Sequence, residues 1–288
     1  ATAADWISGA RIRTLPLAFA PIAIGSGAAA ITDQFKAPVA LLCLVVALAL
    51  QIGVNYSNDY SDGIRGTDNY RVGPARLTGS GAADPKKVLA VALTFFALSA
   101  VAGVIIVILT SAWWMLAIGA VAIVAAWFYT GGRRPYGYAG LGEVMVFIFF
   151  GLVATVGTTF VQTGAFSQES LFGGIGIGLI SCAVLVVNNI RDIETDKLAG
   201  KKTLAVRMGR TPSAVLFCFL MILPFGIVIY FGLFYSAAFL TLFALLAALP
   251  ACLITLTAKT PQEYILALKL SSLTGLLYGL GLAFAFFG

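Results

Sequence analysis

The chain has no histidine among its 288 residues. That removes imidazole acid–base chemistry and the commonest protein ligand for zinc, copper or iron, so any metal must be held by oxygen. Charge is scarce too. Only 10% of residues are Asp, Glu, Lys or Arg, against about 25% in an ordinary soluble domain. Cys43, Cys182, Cys218 and Cys252 all sit inside apolar segments, at spacings that fit neither a zinc site nor a disulfide framework, and read as packing residues. No glycine pattern follows a strand, which excludes a dinucleotide loop; runs such as "GGIGIG" (Gly173–Gly178) suit close helix contact in a bilayer.

What is plentiful is apolar surface, 60% of the residues. A span needs roughly 20 mostly apolar residues to cross about 30 Å of hydrocarbon. Nine segments qualify: Leu15–Ile31, Ala37–Tyr56, Val88–Thr110, Trp113–Thr130, Leu141–Val161, Leu171–Val187, Ala214–Phe231, Ala237–Leu256 and Ile265–Phe287. The expected fold is an all-α integral membrane protein, one membrane domain over residues 1–288, with nine transmembrane helices around a central cavity. Of the 18 Lys and Arg, all but Lys36 precede the first segment, lie in loops after even-numbered segments or flank the start of the ninth. Cytoplasmic loops retain such residues, so the expectation is a multi-pass protein of the cell (inner) membrane, with N-terminus and charged loops cytoplasmic and C-terminus opposite. Topology accounts for the excess base, and no nucleic-acid partner is implied. The basic flank and small-residue end of the first segment also resemble a secretory signal, but its "RIRTLP" finds a better explanation below.

Two of the even-numbered loops, after the second and sixth segments, also gather acids. The first begins "NYSNDYSDGIRGTD" (Asn55–Asp68), the second "NNIRDIETD" (Asn188–Asp196). Each opens on Asn with Asp four residues later, Asn55/Asp59 and Asn188/Asp192. Four segments separate them, so both copies have the same orientation. This suggests a parallel pseudo-repeat of four helices, residues 11–130 and 141–256, with a ninth helix at 265–287.

Residues four apart share a helical face. Asn58 and Asp62 can project together with Asp59 beside them, as can Asp192 and Asp196. Like charges so close repel unless a cation lies between, and Mg²⁺ typically takes one or two carboxylates plus substrate phosphates. Two such half-sites facing each other would bind a diphosphate through bridging Mg²⁺, with Asn58, Asp59, Asp62, Asp192 and Asp196 as ligands and two ions expected. Arg65, Lys201 and Lys202, interleaved with the acids, would neutralise remaining phosphate charge. The plainer reading is of solvated loops, but the positive-inside rule calls for Lys and Arg and not for Asp. Lys197, Arg207 and Arg210 need no role beyond topology. A Mg-diphosphate site over a greasy helix bundle implies a substrate with a diphosphate head and a lipid tail, which prenyl diphosphates match.

The blocks "NDYSDGIRGTD" (Asn58–Asp68), "RVGPARLTGSG" (Arg71–Gly81) and "NNIRDIETDKLAGKKTLAVRMG" (Asn188–Gly209) resemble the two aspartate-rich motifs of the intramembrane aromatic prenyltransferase superfamily. "RIRTLP" (Arg11–Pro16) and "YTGGRRPYGYAGLGE" (Tyr129–Glu143) are similar to its branch that prenylates 1,4-dihydroxy-2-naphthoate in menaquinone biosynthesis. The resemblance spans residues 11 to about 210. It implies that polyprenyl diphosphate ionises on Mg²⁺ and the aromatic acid attacks the allylic cation, losing CO₂ and diphosphate to give demethylmenaquinone or its quinol. The first motif departs from the family pattern: Gly66 stands at the last acidic position, and Asp68 lies two residues later. Another aromatic acceptor, 4-hydroxybenzoate or homogentisate, is the alternative within the superfamily, and a cation-coupled transporter the alternative outside it. Acids at helix mouths, away from the bilayer midplane, argue against the transporter.

Several residues keep two readings. Arg11 and Arg13 hold the aromatic carboxylate or anchor the first helix; Arg133 and Arg134 face the same choice. Tyr129, Tyr136 and Tyr138 are interfacial belt residues or rings that shield the allylic cation. Asn188, with Asn55 as its counterpart, steadies a polar substrate group or ends a helix. Glu143 caps the fifth helix or takes part in the chemistry. No obligate protein partner is indicated.

Overall fold

The computed structural model describes residues 1–70 and 76–288, without the side chains at 69 and 70. The described residues are helices and connecting turns, with no strand among them. In chain order the helices are α1 (Ala3–Gly9), α2 (Pro16–Ala30), α3 (Ala37–Ile64), α4 (Pro85–Thr110), α5 (Met115–Phe128), α6 (Gly142–Thr163), α7 (Gln168–Arg191), α8 (Ile193–Leu198), α9 (Leu204–Met208), α10 (Arg210–Gly232), α11 (Ser236–Thr257) and α12 (Pro261–Phe287).

Seven helices, α3, α4, α6, α7, α10, α11 and α12, are long and apolar enough to cross a membrane. The first expected span, Leu15–Ile31, is the 15-residue α2, with Pro21 inside, and the segment Ala3–Thr14 meets it at 46°. The fourth expected span, α5, has only 14, about 21 Å at 1.5 Å per residue. The apolar run there extends farther than the helix because composition does not encode where the backbone turns. The chain is a multi-pass membrane protein with seven clear spans.

Local chemistry sets the boundaries. Asp84 caps α4 by accepting from the Lys86 amide at 2.8 Å, with Pro85 at the first helical position. A reciprocal Thr260–Glu263 box with Pro261 starts α12. Within α6, residues Phe147–Val153 widen into a π-helix, a form seen mostly as single-turn bulges at functional sites; nothing in the apolar sequence "FIFFGLV" announces it. Here α6 crosses α7 so closely that a Cβ on Gly151 would stand 2.6 Å from Gly178 Cα, which is the use glycine has in bilayer helices.

The core is off-centre. α7 is the most enclosed span, and its Ile177, Ile180, Val187 and Ile190 join Phe217, Met221 and Phe231 of α10, Ala248 of α11 and Tyr278 of α12 in one cluster. The cavity lies on the other side of α7. It is lined by α2 to α7, by Thr195 and Asp196 of α8, by Leu268 alone from α12, and by the loops at the rim. Nine helices around a central cavity is therefore too symmetrical a description: α10 and α11 pack behind α7 and do not reach it.

Candidate active site

The cavity has a volume of about 570 Å³. On α3 its wall runs from Cys43 to Asp62, roughly 28 Å along the helix at 1.5 Å per residue, close to the thickness of a bilayer core. Most of the lining is apolar, including Leu50 and Val54 of α3 and Phe149, Phe150 and Val153 of α6. The polar groups gather where α3 and α7 end. A shared Asn-x-x-x-Asp spacing explains this: Asn58 and Asp62 on α3, and Asn188 on α7 with Asp192 just past its end, all line the cavity. Asp196, on the first turns of α8, joins them.

Two cations tie this rim together. Lys201 Nζ lies 3.4 Å from Asp62 Oδ2 and 3.7 Å from Asp196 Oδ1, and 4.7 Å above the Tyr138 ring. Arg76 Nη1 lies 2.7 Å from Asp62 Oδ2 and 3.4 Å from Asp68 Oδ2, and donates to the Asn58 carbonyl at 2.8 Å. Burial by itself would lower the Arg76 pKa, but Asp62, Asp68 and Asp59 outweigh it and raise the pKa above the usual arginine value. Tyr138 donates to Asp62 Oδ1 at 2.5 Å and shares a 3.2 Å hydrogen bond with Thr67. Burial and the neighbouring Asp62 push its phenol pKa up, so the hydroxyl stays protonated. Arg191 grips Asp192 through two hydrogen bonds of 2.7 and 2.6 Å from behind the cavity wall.

Asp59 points elsewhere. Its carboxylate is 2% exposed and accepts from the Leu77 and Thr78 amides at 2.9 and 2.8 Å, so it holds the returning end of the first motif loop. Arg65, another expected phosphate group, donates to the carbonyls of Thr130 and Gly132 and stands 5.6 Å from the Tyr138 ring. Neither lines the cavity, nor does Lys202, whose amide donates to the Tyr138 carbonyl at 2.8 Å. Arg13, Arg133 and Arg134 are exposed and away from the cavity, whereas Arg11 lines it. Asn55 also lines it while donating to the Ala10 carbonyl at 2.9 Å. Arg71 lies outside the described residues.

The rim has a third wall that the two-motif reading omits, the turn between α5 and α6. Tyr129, Tyr136 and Tyr138 all line the cavity, the first two packed edge-on at 5.5 Å. Burial raises the pKa of both. Arg207 locks this turn to the second motif, donating to the Lys202 and Ala139 carbonyls at 3.1 and 2.8 Å. It therefore does more than set topology, as does Arg210, which donates to Tyr264 at 3.0 Å. Arg76 and Arg191 were the residues missed. The sequence signal was present for both, a base inside a motif block, but counting them only as topology residues hid it.

The oxygen-rich rim suits a hard cation. Among the described residues no three His, Cys, Asp or Glu side chains close on one point, which fits an ion sharing its shell with substrate phosphate and water better than an all-protein cage.

A polytopic helical protein with an acidic rim over a long apolar cavity is built to hold an amphiphile by both ends. The chain belongs to the UbiA prenyltransferase family, whose model matches residues 18–273. It is 50% identical over 258 residues to the 1,4-dihydroxy-2-naphthoate octaprenyltransferase of Mycobacterium tuberculosis, covering 90% of this chain and 83% of that one. The Escherichia coli protein of the same name is 39% identical over 210 residues, 71% of this chain and 68% of its own. Among solved structures, a UbiA homologue from Aeropyrum pernix superposes with a TM-score of 0.70 at 15% identity, covering 92% and 96% of the two chains. A homologue from Archaeoglobus fulgidus, solved with DMAPP and Mg²⁺, gives 0.63 at 16% identity over 97% and 99%. These two likenesses are of fold.

Proposed function

We propose that the protein transfers a polyprenyl group from polyprenyl diphosphate to 1,4-dihydroxy-2-naphthoate, releasing diphosphate and CO₂ and forming demethylmenaquinol, the two-electron-reduced form of demethylmenaquinone. The carrying observation is the continuity of one cavity from the facing pairs Asn58/Asp62 and Asp192/Asp196 down an apolar wall roughly 28 Å long. A diphosphate head and an isoprenoid tail are met by successive parts of one surface. The names of the relatives at 39% and 50% identity supply the acceptor.

On this reading Asn58 and Asp62 would hold one Mg²⁺ and Asp192 and Asp196 a second. Bound there, the ions supply Lewis-acid stabilisation of the departing diphosphate. Lys201 and Arg76 place fixed positive charge at the same rim, where negative charge grows as the allylic C–O bond breaks. Tyr138 orients the Asp62 carboxylate and Arg191 that of Asp192. The rings of Tyr129 and Tyr136 and the apolar wall keep water from the allylic cation. Asp59 and Arg65 serve by holding the loops, and Arg11, which lines the cavity, would meet the acceptor's carboxylate.

The same reading places the acidic rim on the cytoplasmic side of the cell membrane, supported by the one-sided Lys and Arg. It treats α2 and α5 as the two further spans of a nine-helix, single-domain architecture with parallel four-helix repeats, supported by the matched positions of Asn58/Asp62 and Asn188/Asp192 on the cavity wall.

The test is incubation of purified protein in detergent with Mg²⁺, a prenyl diphosphate and 1,4-dihydroxy-2-naphthoate, alongside 4-hydroxybenzoate and homogentisate. Prenylated naphthoquinol with release of CO₂ and diphosphate is expected only with the naphthoate. Intact diphosphate and no prenylated product would refute the transfer.

A further inference from the structure

Glu143 is buried in the first turn of α6, 8% exposed, and does not itself line the cavity. Its Oε1 accepts a hydrogen bond from Asn189 Nδ2 at 3.0 Å. Asn189, on the last turn of α7, does line the cavity, as do Arg11, Thr14 and Tyr129. Tyr129 feels the charges of both Glu143 and Arg11, and its ring abuts the start of α6, 3.3 Å from where a Cβ on Gly142 would stand.

A carboxamide has a donor end and an acceptor end. Asn189 spends its Nδ2 donor on Glu143 Oε1 and so leaves Oδ1 as the end available to the cavity. No donor from the described residues reaches that Oδ1. The carboxamides of Gln51, Asn55 and Asn188 also line the cavity, but the charged groups of its rim are donors or already engaged. Arg11, Arg76 and Lys201 only donate; Asp62 already accepts from Arg76 and Tyr138, and Asp192 from Arg191. A neutral ring hydroxyl brought into this cavity needs an acceptor, and Asn189 presents one.

We propose that Asn189 Oδ1 accepts the hydrogen bond of a hydroxyl on the aromatic co-substrate, and that Glu143 is a positioning residue that fixes the amide in that orientation. This rests on the prenyl-acceptor reading above and assigns the acceptor's hydroxyl contact within it. It makes the site selective for hydroxylated rings, because a ring lacking the hydroxyl leaves a desolvated carbonyl without a donor.

The experiment compares the KM for 1,4-dihydroxy-2-naphthoate, the KM for prenyl diphosphate and the inhibition constant of 2-naphthoate, which has the carboxylate and no hydroxyl. Asn189→Ala should raise the dihydroxynaphthoate KM about tenfold, the worth of one hydrogen bond. The other two constants should stay within about twofold. Glu143→Gln, whose amide can turn either way, should give a smaller rise in the same constant alone. Equal weakening of 2-naphthoate and dihydroxynaphthoate, or an unchanged KM in both variants, overturns the proposal. In the unaltered protein 2-naphthoate must bind about tenfold more weakly than the dihydroxy acid; equal affinity overturns the proposal even where a variant fails to fold. Inactivity of the unaltered protein with every acceptor would refute prenyl transfer itself, and is read before any variant is made.

Discussion

Lys201 places its ammonium 3.4 Å from Asp62, a residue 139 positions earlier in the chain. One side chain from the second motif thereby touches the carboxylate at the centre of the first, and Asp196 lies 3.7 Å away on its other side. Lys201→Met should lower kcat with prenyl diphosphate by about two orders of magnitude, the scale for removing one preorganised charge contact. Lys201→Arg should recover part of it. Steady-state kinetics at saturating Mg²⁺ measure both.

Asp62 and Asp59 are three residues apart, and the structure gives them different jobs. Asp62→Ala and Asp192→Ala should each abolish turnover while the purified protein keeps its helical circular dichroism. Asp59→Asn should leave the Mg²⁺ dependence of the rate unchanged and cost stability instead. It weakens two buried hydrogen bonds to a charged group, worth about 1.5–3 kcal/mol each. Thermal unfolding in detergent, set beside a Mg²⁺ titration of the rate, separates the two outcomes.

Arg76 meets Asp62, Asp68 and the Asn58 carbonyl at once. A lysine cannot reproduce a planar fork of donors, so Arg76→Lys should lose most of the activity, about tenfold or more by the cost of an unpaired buried charge. The measurement is kcat/KM for prenyl diphosphate.

Gly119 of α5 and Gly103 of α4 line the cavity, and a Cβ at either would meet nothing within 4 Å. Gly119→Leu should therefore fold normally and fill tail space. Its KM for a long polyprenyl diphosphate should rise about tenfold, while that for geranyl diphosphate stays within about twofold, following the loss of several buried methylenes at ~0.8 kcal/mol each. Equal effects on both chain lengths would contradict the assignment of this wall to the tail.

Tyr138 predicts a pH dependence. Its pKa is raised in the folded protein by burial and by Asp62, so the protonated phenol is the favoured form. Its hydrogen bond to Asp62 is fully present below the ordinary tyrosine value of about 10 and is lost only as pH rises through the higher folded value. The rate should show no tyrosine ionisation between about pH 7 and 9.5, and Tyr138→Phe should lower activity equally across that range. A loss with a midpoint below 10 that vanishes in Tyr138→Phe would contradict this.

Much of the molecule was legible beforehand because its signals are local. Apolar runs locate the seven long helices, and Asn-to-Asp spacing marks the ends of α3 and α7. Asn55/Asp59 and Asn58/Asp62 both match Asn188/Asp192 in spacing; Asn55, Asn58 and Asp62 share the cavity wall with Asn188 and Asp192, and Asp59 does not. Both pairings have the same four-residue interval, and a repeat read from one loop pair cannot choose between them. The tyrosines from 129 to 138 balanced between membrane belt and site for the same reason, since an aromatic beside a span looks alike in either.

By itself the sequence determined the class of protein and the apolar runs that become its seven long helices, because composition and short-range spacing encode these. Only the tertiary structure decided which groups face the cavity. Asp59 and Arg65 were turned into loop fasteners, Arg76 was brought onto Asp62, and Asn189 was set against Glu143. These outcomes depend on where loops distant in the chain return to meet the helix ends, and on which buried charge each unpaired donor finds there.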